Sequence, residues 1–267
     1  MDKVAIVTGA SAGIGRACAD RLCRRGWTVV GTSRRGTSSG EWAGLVMDVD
    51  QDASVRAGVA EVLARHGRVD AVVAGAGWGL AGAVEQTAVD EAKAQLETNF
   101  WGAVRIVQAV LPAMRARGEG RLVLMSSIGG VVALPFQGFY SASKFALEGL
   151  GEALAYEVAP FGISVTLVQP GNVRTEFTAN RRTTAASQAG DAYRAALDGA
   201  VGLMARDEAN GVDPDDVAAV VERVLGARRP PRRVSVGKMG ERIGIAAKRV
   251  LPFRVFEAAA KGSLGVT

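Results

Sequence analysis

The chain is poor in the residues that most site chemistries need. It has one histidine, His66, and two cysteines, Cys18 and Cys23, in 267 residues. A lone histidine without a cysteine cluster cannot assemble a familiar structural or catalytic metal site, so no metal is expected. A serine–histidine–acid triad would have to use His66, which lies in LARHGRVD and reads as the solvated end of a helix. Cys18 and Cys23 fall on different faces of the helix they share, which predicts free thiols and fits a reducing compartment. No apolar run reaches the ~18 residues of a membrane span. The start, MDKVAIVTGAS, enters a strand pattern with no long apolar leader, so the expected location is cytoplasmic. Charge is also modest, at +5. The one dense basic stretch, ARRPPRRV at 227–234, reads as a solvated loop, and no nucleic-acid partner is expected.

Glycine, by contrast, is abundant, at 34 residues, which signals tight turns and close backbone approaches. Strand-like apolar runs at 4–8, 28–32, 44–47, 71–74, 121–126, 164–168 and 233–236 alternate with amphipathic stretches at 14–25, 52–66, 89–117, 140–159 and 214–225. Continuous Val/Ile/Leu runs suit strands buried on both faces. This rhythm predicts one α/β domain, doubly wound, with about seven parallel strands and helices on both faces. Residues 176–211 break the rhythm. They are polar and alanine-rich and show no strand, as a substrate lid would. Residues 237–267 form a basic, weakly amphipathic extension that could cover the pocket, pack on a partner subunit or rest on a membrane, with packing on the protein itself the conservative expectation.

The first strand runs into TGASAGIG and then a helix. In that context Gly9 permits the turn, Gly13 the approach of a pyrophosphate, and Gly15 close helix–strand packing, with free N–H groups facing the phosphates. Gly9, Ser11, Gly13, Ile14 and Gly15 are therefore candidate cofactor residues of a Rossmann-type site. At the end of the second strand an acid would bind both ribose hydroxyls of NAD. GTSRR has none, and Ser33, Arg34 and Arg35 favour the 2′-phosphate of NADP(H). MDVD places Asp48 to accept from the adenine amino group, with Val49 against the ring.

In YSASK, Tyr140 and Lys144 lie one turn apart on a helix. Taken alone, a surface lysine covering a ring would explain the pair. In order, however, TGASAGIG, ETNFWG, MSSIGG, YSASK and PGNVRT resemble the short-chain dehydrogenase/reductase family. The details resemble its 17β-hydroxysteroid dehydrogenase and retinol reductase-like branch. The resemblance implies Asn99, Ser127, Tyr140 and Lys144 as catalytic residues. It also implies Pro170, Gly171, Val173 and Thr175 as the nicotinamide loop. Spacing from the tyrosine selects Ser127 over Ser126, and strand alternation sends the two hydroxyls to opposite faces. Tyr140 would transfer the proton, Ser127 would hydrogen-bond the reacting oxygen, and Lys144 would hold the nicotinamide ribose. Asn99 would position a water in a relay to Lys144. A phenol ordinarily titrates at about 10, and a nearby ammonium together with the oxidised nicotinamide is expected to lower that value. One motif departs from the family: AGAG replaces the usual N-N-A-G at 74–77, so Ala74 and Gly75 would pass the cofactor by backbone alone.

The implied activity is NADP-dependent oxidation or reduction of a hydrophobic ketone or secondary alcohol that is steroid-, retinoid- or aryl-ketone-like. Half of Trp78, Leu80, Val131, Val132, Leu134, Phe136, Phe139 and Phe177 are expected to line an apolar cleft. A carboxylate substrate would need Arg174, Arg181 or Arg182. A second reading is a catalytically silent NADP-sensing protein on the same fold, and a third a sugar-nucleotide epimerase. On the helix from Tyr140, the face carrying Phe145, Gly149, Glu152 and Tyr156 suits a homodimer or homotetramer.

Overall fold

In the computed structural model, which describes residues 2–188 and 192–263, β1 (Val4–Thr8) leads into α1 (Gly13–Arg24), β2 (Thr28–Ser33), β3 (Ala43–Val46), α2 (Asp52–His66) and β4 (Ala71–Ala74). The chain continues through β5 (Leu80–Ala81), α3 (Val89–Leu96), a π-turn (Glu97–Trp101), α4 (Gly102–Arg117), β6 (Gly120–Met125), α5 (Gly138–Glu157) and β7 (Ile163–Pro170). Then come β8 (Arg182–Thr183), α6 (Ala185–Gln188), α7 (Arg194–Ala209), α8 (Pro214–Gly226), β9 (Arg233–Val236), α9 (Met239–Val250) and α10 (Phe253–Ser263).

The main sheet has seven parallel strands in the order β3-β2-β1-β4-β6-β7-β9. This is a single doubly wound Rossmann-type domain. Strand alternation divides its core in two. Val4 and Ile6 pack with Val55, Val59 and Val62 of α2, Ile106 and Val110 of α4, and Leu147 of α5. Ala5 and Val7 point the other way, onto Cys18, Ala19 and Leu22 of α1 and Val217, Val221 and Val224 of α8. The α1 stripe Gly15, Cys18, Ala19, Leu22 is a helical-period apolar face. α8 starts where Asp213 accepts the N–H of Asp215 and Pro214 occupies the first turn.

The amphipathic stretch 89–117 is helical throughout, with a π-turn at Glu97–Trp101. One expectation needs correction: residues 176–211 do carry a strand. β8 is two residues long and pairs in parallel with β5, roughly a hundred residues earlier. A two-residue strand leaves no periodicity to read, and its partner is remote in the chain.

At the foot of the sheet, Asp70 ties β1, β4 and α4 together. The Val4 N–H donates to it at 2.8 Å, Arg68 Nε at 2.7 Å and Arg117 Nη2 at 2.7 Å. Burial alone would raise its pKa, but these hydrogen bonds outweigh burial and hold the carboxyl at about 2. A depressed folded-state pKa contributes stability above the ordinary aspartate value and loses it as pH falls towards about 2. Asp70→Asn is therefore expected to cost about 2 kcal/mol at neutral pH by urea unfolding. The gap from wild type should close as pH falls from about 5 towards 2. A gap independent of pH would show that the carboxylate charge is not what matters.

Candidate active site

The cleft lies outside the C-terminal ends of β1 and β4, where the strand order reverses. It encloses about 1340 Å³ and runs from Arg34 and Asp48 at one end to Tyr140 and α7 at the other. At its floor the turn after β1 is shaped by glycine. Gly9 has φ +72°, and a side chain there would meet Ala76 Cα at 2.9 Å. A Cβ on Gly15 would come within 2.3 Å of the Gly9 carbonyl oxygen, so only glycine allows α1 to start this close to the strand.

The residues present fit a dinucleotide. The N-cap of α1 is Ala12, which supplies no side-chain cap, and the first turn contains no acid. Its N–H donors therefore open onto the cleft beside Ser11, Gly13 and Ile14, as an anion site requires. At the end of β2, Arg34 and Arg35 are exposed and have no ion-pair partner among the described residues. Ser33 Oγ accepts the Thr37 N–H at 3.2 Å, which leaves its proton to donate. Asp48 and Val49 line the same end, and Pro170, Gly171, Val173 and Thr175 line the middle.

Ser127, Tyr140 and Lys144 come together at the far end, all buried and all lining the cleft. Ser127 Oγ accepts the Gly129 N–H at 3.0 Å and donates to the Pro170 carbonyl at 3.5 Å. Ser126 Oγ, its neighbour, is buried without a partner. Lys144 Nζ donates to the Met125 carbonyl at 2.8 Å and lies 5.8 Å from the centre of the Tyr140 ring. Burial lowers Lys144 to about 8. Burial also raises the Tyr140 pKa, against the Ser127 hydrogen bond, and the Glu208 carboxylate raises it further. The lowered phenol pKa expected from the Tyr140–Lys144 spacing is thus not found in the chain alone. The ammonium points to a backbone carbonyl and not to the phenol oxygen.

Asn99 is fully buried on the π-turn. Its Nδ2 donates to the Trp78 carbonyl at 3.0 Å and to Ser143 Oγ at 3.2 Å, and its Oδ1 accepts the Trp78 N–H at 3.0 Å. The side chain braces the loop after β4, and its Oδ1 and Lys144 Nζ both approach Gly77, 3.0 and 3.8 Å from where a Cβ there would lie.

The sequence profile described as short chain dehydrogenase matches residues 3–186. The chain belongs to the short-chain dehydrogenase/reductase family. It is similar to 3-ketodihydrosphingosine reductase of Bacteroides thetaiotaomicron, with 39% identity over 258 residues and 96% of each chain covered. It is similar to retinol dehydrogenase 8 of Bos taurus, with 37% identity over 250 residues, covering 86% of this chain and 80% of that one. Among solved structures it is similar to a short-chain dehydrogenase from Streptomyces avermitilis. That match has a TM-score of 0.85 and 33% identity, with 98% of each chain covered. The shared activity is hydride transfer with a nicotinamide cofactor.

The departure from the family pattern at 74–77 has a structural answer. Ala74 is a buried strand residue and does not line the cleft, contrary to its expected cofactor contact. Gly75, Ala76, Gly77 and Trp78 do line it. In place of asparagine side chains, the buried Thr8 hydroxyl accepts the N–H groups of Gly75 at 3.0 Å and Ala76 at 3.2 Å. Gln95, fully buried, holds the next stretch: its Nε2 donates to the Trp78 carbonyl and its Oε1 accepts the Leu80 N–H, both at 2.7 Å. Sequence reasoning missed Thr8 and Gln95. The signal available was a polar residue one helical turn before Asn99 and a threonine ending a buried strand. It also missed the chain from Trp78 Nε1 to Thr98 Oγ1 (3.1 Å) to Asp50 Oδ2 (3.0 Å), which links the two ends of the cleft.

Thr8→Val keeps the shape of the side chain and removes its oxygen. Two N–H groups then lose their acceptor, at an expected cost of about 1–3 kcal/mol in urea unfolding. Cofactor titration should show weaker binding, since the loop under the cofactor loses its anchor, and Thr8→Ser should restore both. Unchanged stability in the valine variant would mean that the loop is held elsewhere.

Proposed function

We propose that the chain is an NADP(H)-dependent reductase of hydrophobic ketones, acting through Ser127, Tyr140 and Lys144. The observation that carries this reading is the meeting of Ser127, Tyr140 and Lys144, all buried, inside the cleft that the glycine turn also lines. The nicotinamide, when bound, supplies hydride to the carbonyl carbon or takes it from the alcohol carbon. Tyr140 gives its proton to the carbonyl oxygen in the reducing direction and regains it from solvent. Its raised pKa keeps the phenol protonated near neutral pH, which suits a proton donor. Ser127 hydrogen-bonds the same oxygen as negative charge develops on it. Lys144 supplies positive charge beside the phenol ring and would hold the nicotinamide ribose. Asn99 acts as a positioning residue through Trp78.

The substrate end supports an apolar ligand. Trp78, Val132, Leu134 and Phe177 line it, joined by Leu203 and Met204 of α7 and Ile245 and Phe256 of the tail. Leu80, Val131, Phe136 and Phe139 do not line it. Two of the three nearby arginines are engaged: Arg174 pairs with Asp213 at 3.0 Å and Arg181 is buried against Glu208. Arg182 stacks 4.4 Å above the Trp78 ring and has no ion-pair partner among the described residues. Residues 176–211 would then form the lid. The likeness to 3-ketodihydrosphingosine reductase makes a long-chain keto compound the first substrate to assay, ahead of retinoid and steroid carbonyls. The assembly we propose is a homodimer or homotetramer through α5, where Phe145 and Tyr156 are exposed and, among the described residues, nothing lies within 4 Å of a Cβ placed on Gly149.

Tyr140→Phe is expected to lower turnover of NADPH and a long-chain ketone about 10²–10⁴-fold while NADPH binding persists. A variant keeping half of wild-type turnover would refute the assignment. For the cofactor, a charge-assisted contact from Arg34 to the 2′-phosphate corresponds to about 10–150-fold preference for NADPH over NADH. Fluorescence titration should show that preference in wild type and its loss in Arg34→Asp. Equal affinities in wild type would overturn it.

A further inference from the structure

The C-terminal helices present two opposite faces. Gly240, Gly244, Ile245 and Ala247 of α9 line the substrate end of the cleft. On the other side, Met239, Ile243 and Val250 lie within one narrow arc of the helix, at spacings of four and seven, and are 67%, 59% and 80% exposed. Phe253 and Val255, where α10 begins, extend this apolar surface and are 72% and 53% exposed. Lys238, Arg242 and Arg254 stand exposed among them, with no ion-pair partner among the described residues. Residues 238–258 contain five basic side chains against two acidic ones. One of the acids, Glu241, faces inward, accepting the Asn172 N–H at 3.0 Å and Asn172 Nδ2 at 2.7 Å.

We propose that α9 and the start of α10 lie on an anionic lipid surface, with the substrate end of the cleft facing that surface. Apolar side chains flanked by unpaired cations match a bilayer interface, where the chains enter the acyl boundary and the cations meet headgroup phosphates. A second copy of the chain fits less well, because a two-fold contact would bring two faces of the same positive charge together. Among the described residues no helix is long and apolar enough to cross a membrane, so the contact is peripheral. Leu251 and Phe256 line the cleft directly beside the exposed stripe. An apolar ligand could then pass from the acyl region into the cleft without crossing bulk water.

The proposal does not depend on the substrate assigned above, because vesicle binding is measured without cofactor or ketone. The full chain is expected to co-sediment with phosphatidylcholine vesicles containing about 30% phosphatidylglycerol, and about tenfold less with phosphatidylcholine alone. The double variant Ile243→Glu/Val250→Glu and, separately, Arg242→Glu should each reduce partitioning at least about fivefold. Thermal midpoint, light-scattering mass and reduction of a small soluble ketone should stay as in wild type. No sedimentation with anionic vesicles would overturn the proposal, as would equal partitioning of wild type and both variants. A halved mass in the double variant would also overturn it, by assigning the face to a second copy.

Discussion

Two backbone N–H groups, of Gly75 and Ala76, reach the hydroxyl of Thr8, and the cleft takes its shape from that junction. It joins the ends of the two strands between which the strand order reverses. On one side the turn through Gly9 and Gly15 presses against Ala76 and brings the open end of α1 beneath the phosphates' place. On the other the chain continues into Trp78, which Gln95 and Asn99 grip by its backbone. A loop made of alanine and glycine offers no side chain for anchoring. Its position depends on acceptors supplied by its neighbours, and each of these is buried enough that losing its partner would be costly.

The same burial sets the chemistry. Ser127, Tyr140 and Lys144 sit where water is largely excluded, so charge on either titratable member is disfavoured. The phenol is held protonated and the ammonium is brought close to neutral pH by one cause acting in opposite directions. Arg181 and Glu208, paired within residues 176–211, add opposed influences on the phenol. A change in their pairing would therefore be felt at the proton donor even though neither touches Ser127.

Most of the main sheet was legible because strands buried on both faces show as unbroken Val and Ile runs, as at Val4–Thr8 and Ala71–Ala74. The glycine turn was legible because its constraint is local and no other residue satisfies it. What escaped depends on distance in space. The strand Arg182–Thr183 exists only through its pairing with Leu80–Ala81. The partner of the Asn99 side chain is a backbone two elements earlier. The direction of the Tyr140 shift follows from how deeply the helix is covered, which the spacing to Lys144 does not contain. The tail likewise read as weakly amphipathic, because its cleft-facing and solvent-facing sides are both apolar.

The short ladder between β5 and β8 constrains how the enclosure can open. The Arg182 N–H donates to the Gly79 carbonyl and the Thr184 N–H to the Ala81 carbonyl, both at 2.9 Å. The near end of residues 176–211 is thereby fastened to the loop that Gln95 and Asn99 already hold. Any opening that leaves this ladder intact would have to move residues beyond it, towards α7, whose Leu203 and Met204 line the cleft with Ile245 and Phe256 of the tail.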